Sequence, residues 1–576
     1  MDPLLYFNFS TNDKNEAPLL FQQPDRIIQA SSITEVLPAL AEVQHFVNKG
    51  YYAAGYLSYE AASAFDHAAF THSNPNLPLL WFGIFNEPEQ REIKSYKPFR
   101  TSKWSNRSSK AEYEKNLNKI KEQIESGNTY QVNYTVRMHA AFQGDPLSYY
   151  TSLSKAQSAN YSAYFDIGDY SILSASPELF FHLKEGKLTT RPMKGTVARG
   201  NTTFENTKNK EWLYHSEKNR AENVMIVDLL RNDLGAIAIP GTVKVPELFS
   251  IETYPTVHQM TSTVTAEIEA QHTITDIFKA LFPCGSITGA PKISTMRIIN
   301  ELEDEPRDVY CGTMGYITPK NEAVFNVPIR TVILDKEKGN VTYGVGGGIT
   351  WDSKTDEEYE EVITKARVLE VKHEPFQLLE SIGCEDGELF LLELHLERLR
   401  KTADFFNFQI DTKKIKQDLT NYLEGLNDDL WKVRLLVDEN GDTEIEAKAA
   451  SPFTNILSVA LATKPIDRTN PFLYYKTTNR SIYKEHLPTN TGVFDVLLWN
   501  ENREVTEFTN GNIVVEKNGK RYTPPVESGL LAGTFREHLL DKGEIEVKEI
   551  MLDELPSYSR VWLINSVRRW VEVKLV

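Results

Sequence analysis

The chain is organised around one stretch, Arg191-Pro192-Met193-Lys194-Gly195-Thr196-Val197-Ala198-Arg199-Gly200. Pro192 cannot donate a hydrogen bond to a neighbouring strand, so a strand is predicted to end before it. Gly195 has no Cβ and lets the backbone come close to a ligand. Lys194, between them, is either a solvated surface charge or a nucleophile with a lowered pKa. The rest of the sequence favours the nucleophile.

Composition bounds the class of protein. The chain has 576 residues, enough for two to four domains. A hydrophobic content of 41% and a charged content of 25% are ordinary for a soluble globular protein. The net charge of −17 argues against a nucleic-acid binder. No run approaches 18 apolar residues, so no membrane partner is expected.

The cysteine content and the N-terminal sequence indicate a cellular compartment. Cys284, Cys311 and Cys384 have no close metal-ligand spacing and are interpreted as small buried residues. No basic region precedes an apolar stretch at the N-terminus, so no signal peptide is expected. Few thiols and no export signal predict a cytoplasmic location.

Periodicity gives a coarse order of elements. Apolar residues at spacings of three and four predict a helix over 109–126, and strands are predicted over 130–137 and 161–167. The segment 218–234 is helical and apolar nearly all round, which predicts a buried helix. Another helix is predicted after Thr355.

A domain boundary is predicted near residue 373. Pro375 stops the preceding helix, and strand patterns follow at 376–382 and 389–394. The predicted domains are therefore 1–372 and 373–576.

The first domain carries several groups suited to an anionic ligand. A glycine-rich turn over 285–291 runs into a helix, whose free backbone donors favour an anion. The three glycines 346–348 allow a second close approach. Glu222 and Glu361 lie on separate predicted helices. If the two carboxylates are buried together they need a cation, and Mg²⁺ is suitable; otherwise they are exposed helix charges.

These motifs resemble the chorismate-utilising enzymes, a family that includes anthranilate, isochorismate and aminodeoxychorismate synthases. The resemblance covers residues 100–372 and is carried by the stretches 176–180, 195–196, 221–235, 285–292 and 329–331. It implies an α/β fold: a large α/β sandwich of mostly antiparallel sheets with the active site between them.

The resemblance also implies roles for single residues. It places Mg²⁺ at Glu222 and Glu361, bridging to a carboxylate of the substrate chorismate, and His258 near the reacting ring. The groups expected to hold the substrate carboxylates are Thr196, Tyr310, Arg330 and the backbone near Gly346, Gly347 and Gly348.

Within this family the residue before Gly-Thr is typically alanine in anthranilate and isochorismate synthases and lysine in aminodeoxychorismate synthases. Lys194 occupies that position. The implied reaction is attack of Lys194 on C2 of chorismate while the C4 hydroxyl leaves with acid help from Glu178. Ammonia then attacks C4 and expels the lysine. No cysteine has a Gly-x-Cys-x-Gly context, so a separate glutamine amidotransferase, or free ammonia, is expected to supply the nitrogen.

The second domain carries a lysine, a carboxylate between strand-like segments, an arginine on a helix, and a Gly-Thr turn opening a helix. A phosphorylated aldehyde cofactor needs these groups. The segments resemble fold-type-IV pyridoxal-phosphate enzymes, the α+β fold of branched-chain aminotransferase and aminodeoxychorismate lyase. The resemblance implies Lys476 as the Schiff-base lysine, Glu507 at the pyridine nitrogen, and Arg398 with Gly533 and Thr534 at the phosphate. Lys484 is the rival lysine, but only Lys476 begins a Lys-x-x-Asn-Arg run.

The fusion predicts a bifunctional enzyme of 4-aminobenzoate synthesis, on the folate pathway, in which the second half removes pyruvate from the product of the first. One alternative is an anthranilate synthase joined to a transaminase. Another is an aminodeoxychorismate synthase with a non-catalytic C-terminal binding module. The sequence leaves the oligomeric state open, with a homodimer through the C-terminal domain as one arrangement.

Overall fold

The computed structural model describes residues 2–10, 17–157, 159–254, 257–369, 376–423, 430–451, 453, 455–487 and 492–576. The chain forms two compact units, Met1–Ala198 with Asn209–His373 and Arg199–Lys208 with Glu374–Val576. The predicted boundary near residue 373 lies outside the described residues and stays a prediction. Among the described helices, none has the length and apolar character needed to cross a membrane.

The first unit contains two large sheets whose described strand pairs are all antiparallel. The first sheet has the strand order Gly289–Ala290, Gln131–Gly144, Asn340–Ile349, Thr331–Asp335, Tyr170–Ser176, Tyr161–Asp166, Leu4–Phe9, Leu19–Gln22 and Glu89–Gln90, with Phe99–Thr101 and Ser105–Asn106 paired to Gln131–Gly144. The second has the order Met193–Ala198, Val257–Glu267, Lys187–Arg191, Leu179–Lys184, Ala323–Asn326, Thr313–Ile317, Tyr52–Leu57, Leu80–Phe85 and Arg26–Ala30, with Lys244–Thr253 paired to Val257–Glu267.

Aromatic side chains join the two sheets. Phe7 and Phe21 belong to the first sheet and Phe85 to the second, and all three are at most 1% exposed. The ring centroid of Phe21 lies 5.8 Å from that of Phe7 and 5.2 Å from that of Phe85. Each fully buried phenylalanine stabilises the fold by about 1.5–3 kcal/mol relative to an exposed one. The facing sheets therefore form the expected sandwich.

The same part of the chain also contains helices. In the described part of residues 1–373 they are Ile33–Asn48, Ala62–Phe65, Lys110–Glu125, Pro146–Gln157, Thr203–His215, Glu217–Gly235, Ile274–Leu281, Lys292–Leu302 and Thr355–Ala366. The helix predicted over 218–234 is present but not buried all round: Ile226 and Leu230 are buried, whereas Val224 is 38% exposed.

The second unit contains a four-stranded antiparallel sheet and an eight-stranded mixed sheet. The first has the order Glu388–Leu389, Leu378–Glu385, Trp431–Val437 and Thr443–Ala449. The second has the order Val505–Phe508, Asp495–Trp499, Leu457–Leu461, Arg569–Leu575, Arg560–Asn565, Gly511–Lys517, Lys520–Thr523 and Glu546–Val547, and a pairing of Val505–Phe508 with Gly511–Lys517 closes six strands into a ring.

The described helices of residues 374–576 are Leu392–Phe406, Thr412–Leu423, Ser481–Lys484 and Thr534–Asp541. The strand predicted over 389–394 is wrong, because the helix Leu392–Phe406 begins inside it. A short apolar run fits either element. The burial of Leu396, Leu399 and Ala403 at spacings of three and four shows that helical packing decides.

Candidate active sites

A β-bulge presents Lys194. The strand Met193–Ala198 pairs with Val257–Glu267, and the register shifts between Met193 and Thr196. Such a bulge redirects a side chain. Gly195 has a φ of 92°, and a Cβ added there would lie 3.0 Å from the Asn219 side chain. Glycine is therefore required beside Lys194.

Lys194 is partly buried among charged groups. Burial lowers the pKa of its amine; Lys365 acts in the same direction, and the carboxylates of Glu222, Glu178 and Glu361 oppose it. A lowered pKa raises the fraction of neutral amine, which is the nucleophilic form.

Gly348 brings the three-glycine segment next to Lys194. A Cβ added to Gly348 would lie 3.1 Å from Lys194 Nζ and 1.9 Å from Gln131 Nε2. Gln131 is 1% exposed, and neither atom of its amide has a hydrogen-bond partner among the described residues. A buried unpaired amide is costly, so this position suits a polar ligand. The sequence gives no signal for Gln131, because it is an ordinary polar residue at a strand start. Only the packing shows that its buried amide has no hydrogen-bond partner among the described residues.

Glu178 is a buried carboxyl whose pKa responds to the charge of Lys194. It is 2% exposed and accepts a 2.5 Å hydrogen bond at Oε1 from Ser286 Oγ. Burial raises the pKa of Glu178 to about 7, although Ser286 and the charges of Lys194 and Arg330 act in the opposite direction. A carboxyl that is half protonated near neutral pH is suited to general acid catalysis.

Arg330 and Tyr310 are both held by neighbours. Arg330 has a φ of 52° and donates to Gln157 Oε1, and burial lowers the pKa of its guanidinium. The Tyr310 ring occupies the space where a Cβ on Gly344 would fall, within 2.3–2.5 Å. Its face lies 5.2 Å from the Arg137 guanidinium carbon.

Thr196 and His258 lie on paired strands but on opposite faces. Thr196 pairs with Gln259, whose Nε2 lies 3.4 Å from Thr196 Oγ1, and Val197 pairs with His258. Since neighbouring residues of a strand point to opposite faces, these two predicted ligands do not share a face. His258 is fully buried with Nδ1 3.1 Å from Thr253 Oγ1.

Glu222 projects from the helix Glu217–Gly235. Burial raises the pKa of its carboxyl; Lys194 and Lys218 lower it, and the charge of Glu361 raises it further. The charge of Glu361 therefore acts on the Glu222 carboxyl, although the two residues come from separate helices.

Glu361 projects from the helix Thr355–Ala366 and its side chain is 49% exposed. Lys365 Nζ lies 2.7 Å from its Oε1, and the lysine charge is the main cause of the lowered pKa of Glu361. A pair of carboxylates fits Mg²⁺, which commonly takes one or two of them and keeps several waters. Within the described residues, no group of three or more His, Cys, Asp or Glu is placed to hold a metal.

In the second unit, Lys476 is partly buried and Glu507 is buried. Burial lowers the pKa of Lys476 to about 7. Glu507 is 3% exposed and accepts hydrogen bonds from Tyr483 Oη at 2.8 Å and Asn512 Nδ2 at 3.3 Å. Burial raises the pKa of Glu507 to about 7. A lysine and a hydrogen-bonded carboxylate fit the imine and ring-nitrogen positions of pyridoxal phosphate.

Two residues predicted to bind the cofactor phosphate, Gly533 and Thr534, lie at the start of one helix. Gly533 caps the helix Thr534–Asp541, and a Cβ there would lie 1.9 Å from Asn512 Oδ1. Thr534 Oγ1 lies 3.2 Å from His395 Nε2. A helix start with free backbone donors fits a phosphate.

Arg398 makes contacts that the sequence did not predict. Its Nε and Nη2 donate to Glu380 at 2.9 and 2.5 Å, and its Nη1 donates to the carbonyl of Ala532 at 3.3 Å. His395 Nδ1 lies 2.7 Å from Glu380 Oε2. Thus a buried carboxylate holds Arg398 beside the Gly533 turn.

A second feature missed from the sequence is a group of cations on one sheet face. Lys432 pairs with Gly383 on one side and Lys448 on the other. Burial and then the charges of Arg568, Arg434, Lys448 and Arg480 lower the pKa of Lys432. Glu446 pairs with Arg434 at 2.9 Å and lies 3.9 Å from Lys448, and the positive charge that this carboxylate does not balance favours an anionic ligand.

Comparison with known proteins gives the family. The model described as chorismate binding enzyme matches residues 7–370, and amino-transferase class IV matches residues 377–576. These matches confirm the expected fold class of both parts, and a class IV aminotransferase domain implies pyridoxal phosphate.

Two relatives and one solved structure are informative. The chain is 42% identical over 269 residues to aminodeoxychorismate synthase component 1 of Salmonella typhimurium, covering 46% of this chain and 59% of the relative. It is 38% identical over 313 residues to the protein of the same name from Escherichia coli, covering 53% and 67%. The crystal structure of anthranilate synthase component I from Streptococcus pneumoniae is 25% identical with a TM-score of 0.52, covering 64% of this chain and 90% of that one.

The chain thus spans about three fifths of the length of the Salmonella relative. The chain belongs to the chorismate binding enzymes and carries an amino-transferase class IV domain in the same polypeptide.

Proposed function

We propose that this chain converts chorismate and ammonia into 4-aminobenzoate and pyruvate in two steps, one in each domain. The observation that carries the proposal is the setting of Lys194, which the β-bulge presents beside Gly348 and whose pKa is lowered by burial, although the charges of Glu222 and Glu178 oppose that shift. Anthranilate formation needs no such nucleophile, since ammonia can attack C2 directly.

In the first step the neutral amine of Lys194 attacks C2 of chorismate. Glu178 gives a proton to the C4 hydroxyl, which leaves as water. Ammonia then adds at C4 and the lysine leaves C2, which restores the ring double bonds and the amine. Arg330, Thr196, Tyr310 and the backbone of 346–348 are proposed to bind the carboxylates. His258, predicted to lie near the ring, is on the opposite face of its strand pair from Thr196 and is given no contact with the carboxylates. Gln131 offers its buried amide to the substrate.

Glu222 and Glu361 are proposed to hold Mg²⁺, which would orient the substrate and screen its negative charge. The charge of Glu361 raises the pKa of the Glu222 carboxyl, which supports this assignment. Lys365, now paired with Glu361 at 2.7 Å, would have to release that carboxylate.

In the second step, pyridoxal phosphate supplies an electron sink for charge at the carbon that carries the amino group. Lys476, Glu507, Arg398, Gly533 and Thr534 are proposed to hold it. Lys476 removes the proton from C4 of the substrate, and loss of pyruvate makes the ring aromatic. Its lowered pKa favours the neutral amine that this role needs.

The cationic group around Lys432 favours this substrate over a neutral amino acid. Aminodeoxychorismate carries two carboxylates, and Lys432 lies among four further cations.

The ammonia is proposed to come from a separate glutamine amidotransferase. The sequence has three cysteines, none in a Gly-x-Cys-x-Gly context, and all three are buried. A homodimer through the C-terminal domain and a cytoplasmic location belong to the same proposal.

Product analysis tests it. The wild-type protein is incubated with chorismate, ammonium, Mg²⁺ and pyridoxal phosphate, and products are separated by chromatography. We expect 4-aminobenzoate and pyruvate in equal amounts. Anthranilate as the main product would indicate the anthranilate synthase alternative, and accumulated aminodeoxychorismate would indicate a non-catalytic C-terminal domain.

A further inference from the structure

A hydrogen-bond chain behind Glu178 has no role in the reaction as proposed. Ser286 Oγ lies 2.5 Å from Glu178 Oε1 and 3.2 Å from Cys284 Sγ. The three side chains are 4%, 2% and 2% exposed, in the order Ser286, Glu178 and Cys284. Solvent therefore does not compete for these bonds.

The backbone holds Ser286 in place. It lies in the short helical turn Gly285–Ile287, and Thr288 Oγ1 donates to the carbonyls of Cys284 and Gly285 at 3.2 Å each. A Cβ on Gly285 would lie 2.4 Å from the Leu229 side chain, so the turn packs tightly against the helix Glu217–Gly235. The hydroxyl of Ser286 has little freedom to move away from Glu178.

The hydrogen bonds that link Cys284, Ser286 and Glu178 have a preferred donor-to-acceptor direction. Burial raises the pKa of the Cys284 thiol to about 12, so the thiol keeps its hydrogen. A thiol is a weak acceptor, whereas a carboxyl oxygen is a strong one. The single hydrogen of the Ser286 hydroxyl therefore points to Glu178 Oε1, and Cys284 can donate to Ser286 Oγ.

We propose that Ser286 is a positioning residue that holds Oε1 of Glu178 and leaves Oε2 as the oxygen that carries the transferable proton. The inference deepens the proposed function of the first site and rests on it. The proton passes from Oε2 to the C4 hydroxyl oxygen as the C4–O bond breaks and water leaves. Ser286 then donates to the carboxylate that remains.

The groups that face Glu178 determine how its pKa changes when the Ser286 hydroxyl is removed. Lys194 and Arg330 stabilise its charged form, and Ser286 does so through the hydrogen bond. Cys284 faces it as a neutral thiol. Removing the Ser286 hydroxyl takes away support from the charged form only, so the pKa of Glu178 rises. Catalysis needs the protonated acid, and the rate falls as pH rises through this pKa.

The test compares wild type, Ser286→Ala and Ser286→Thr. Chorismate consumption by the full chain is measured from pH 5.5 to 9 at a fixed concentration of free ammonia. Ser286→Ala should move the alkaline limb of the pH–rate profile up by about one pH unit. The reason is that losing a hydrogen bond to a charged group changes the acid dissociation constant roughly tenfold. The rate below the limb should fall about tenfold. Ser286→Thr keeps a hydroxyl and should keep the limb at its wild-type position.

A limb that stays in place in Ser286→Ala, whatever the loss of rate, would overturn the inference, since a merely structural residue lowers the rate without moving the limb. Conversion of added aminodeoxychorismate by the same variant shows that the chain is folded. The product made from chorismate tests the proposed function separately: anthranilate would refute that function, while the limb still reports on Glu178.

Discussion

Arg398 Nη2 lies 2.5 Å from Glu380 Oε2, and His395 Nδ1 lies 2.7 Å from the same oxygen. The residue predicted to bind phosphate is therefore already held by a buried carboxylate. Burial raises the pKa of Glu380, but the charges of Arg398 and His395 outweigh it and bring the pKa to about 2. Glu380 thus stays charged at neutral pH and fixes the arginine beside the Gly533 turn.

Glu380→Gln should weaken pyridoxal-phosphate binding. The variant leaves Arg398 without its buried counter-charge, and breaking such a pair costs about 3–5 kcal/mol. Part of this loss will appear as a lower unfolding temperature of the second unit. We expect at least a tenfold higher Kd in a titration followed by cofactor absorbance.

Glu397→Gln is the matched control for that titration. Glu397 lies on the same helix, but its side chain is 44% exposed and pairs with Arg400. An exposed pair contributes about 0–1 kcal/mol. Equal Kd values for the two variants would contradict the positioning role of Glu380.

Lys194→Ala should abolish amination at C4, because no amine remains to occupy C2 while the hydroxyl leaves. A small amount of anthranilate from direct attack of ammonia at C2 is expected instead. Lys187→Ala replaces an exposed lysine on the strand that precedes Met193–Ala198 in the sequence and should retain wild-type output. Normal 4-aminobenzoate production by Lys194→Ala with chorismate and ammonia would rule out the nucleophile.

The surroundings of Lys194 follow from local sequence to a large degree. Pro192 separates two strands as predicted, and Gly195 has the positive φ that only glycine adopts readily. The effects of Pro192 and Gly195 on the backbone act within a few residues, so they can be predicted from the local sequence.

Pairings across the fold do not follow from sequence. Glu380 lies on a strand and contacts His395 and Arg398 on the next helix. The sequence spacing of these three residues does not predict a buried ion pair. Gln131 becomes notable only because its amide and the Lys194 amine both lie beside Gly348. Both features depend on tertiary packing, which periodicity does not encode.

Gln131→Met should lower kcat/KM for chorismate about tenfold, by removing the buried amide from the substrate position. The substitution keeps the side-chain length and deletes two unpaired polar atoms, so the unfolding temperature should stay the same or rise. Steady-state kinetics and thermal unfolding of the variant check both points. Unchanged kinetics would show that the amide does not meet the substrate.

Glu361→Gln should shift the Mg²⁺ titration of chorismate consumption to higher concentration by tenfold or more, because one of two charged ligands is lost. Conversion of aminodeoxychorismate by the second domain should be unaffected. Glu360→Gln, an exposed glutamate on the same helix, is the control. A wild-type Mg²⁺ curve for Glu361→Gln would leave Glu361 as a solvated helix charge.

Lys476→Ala separates the two reactions. The lysine is proposed to hold the cofactor and to remove the C4 proton, and alanine does neither. The residues proposed for the first step lie in the other compact unit, so the variant should still consume chorismate and ammonia.

The most direct test of the two-step account is chromatography of the products that Lys476→Ala makes from chorismate and ammonia with Mg²⁺ and pyridoxal phosphate present. The account predicts that 4-amino-4-deoxychorismate accumulates at close to the wild-type rate of chorismate consumption, and that a separately added lyase converts it to 4-aminobenzoate. Wild-type production of 4-aminobenzoate by this variant without added lyase would contradict the account.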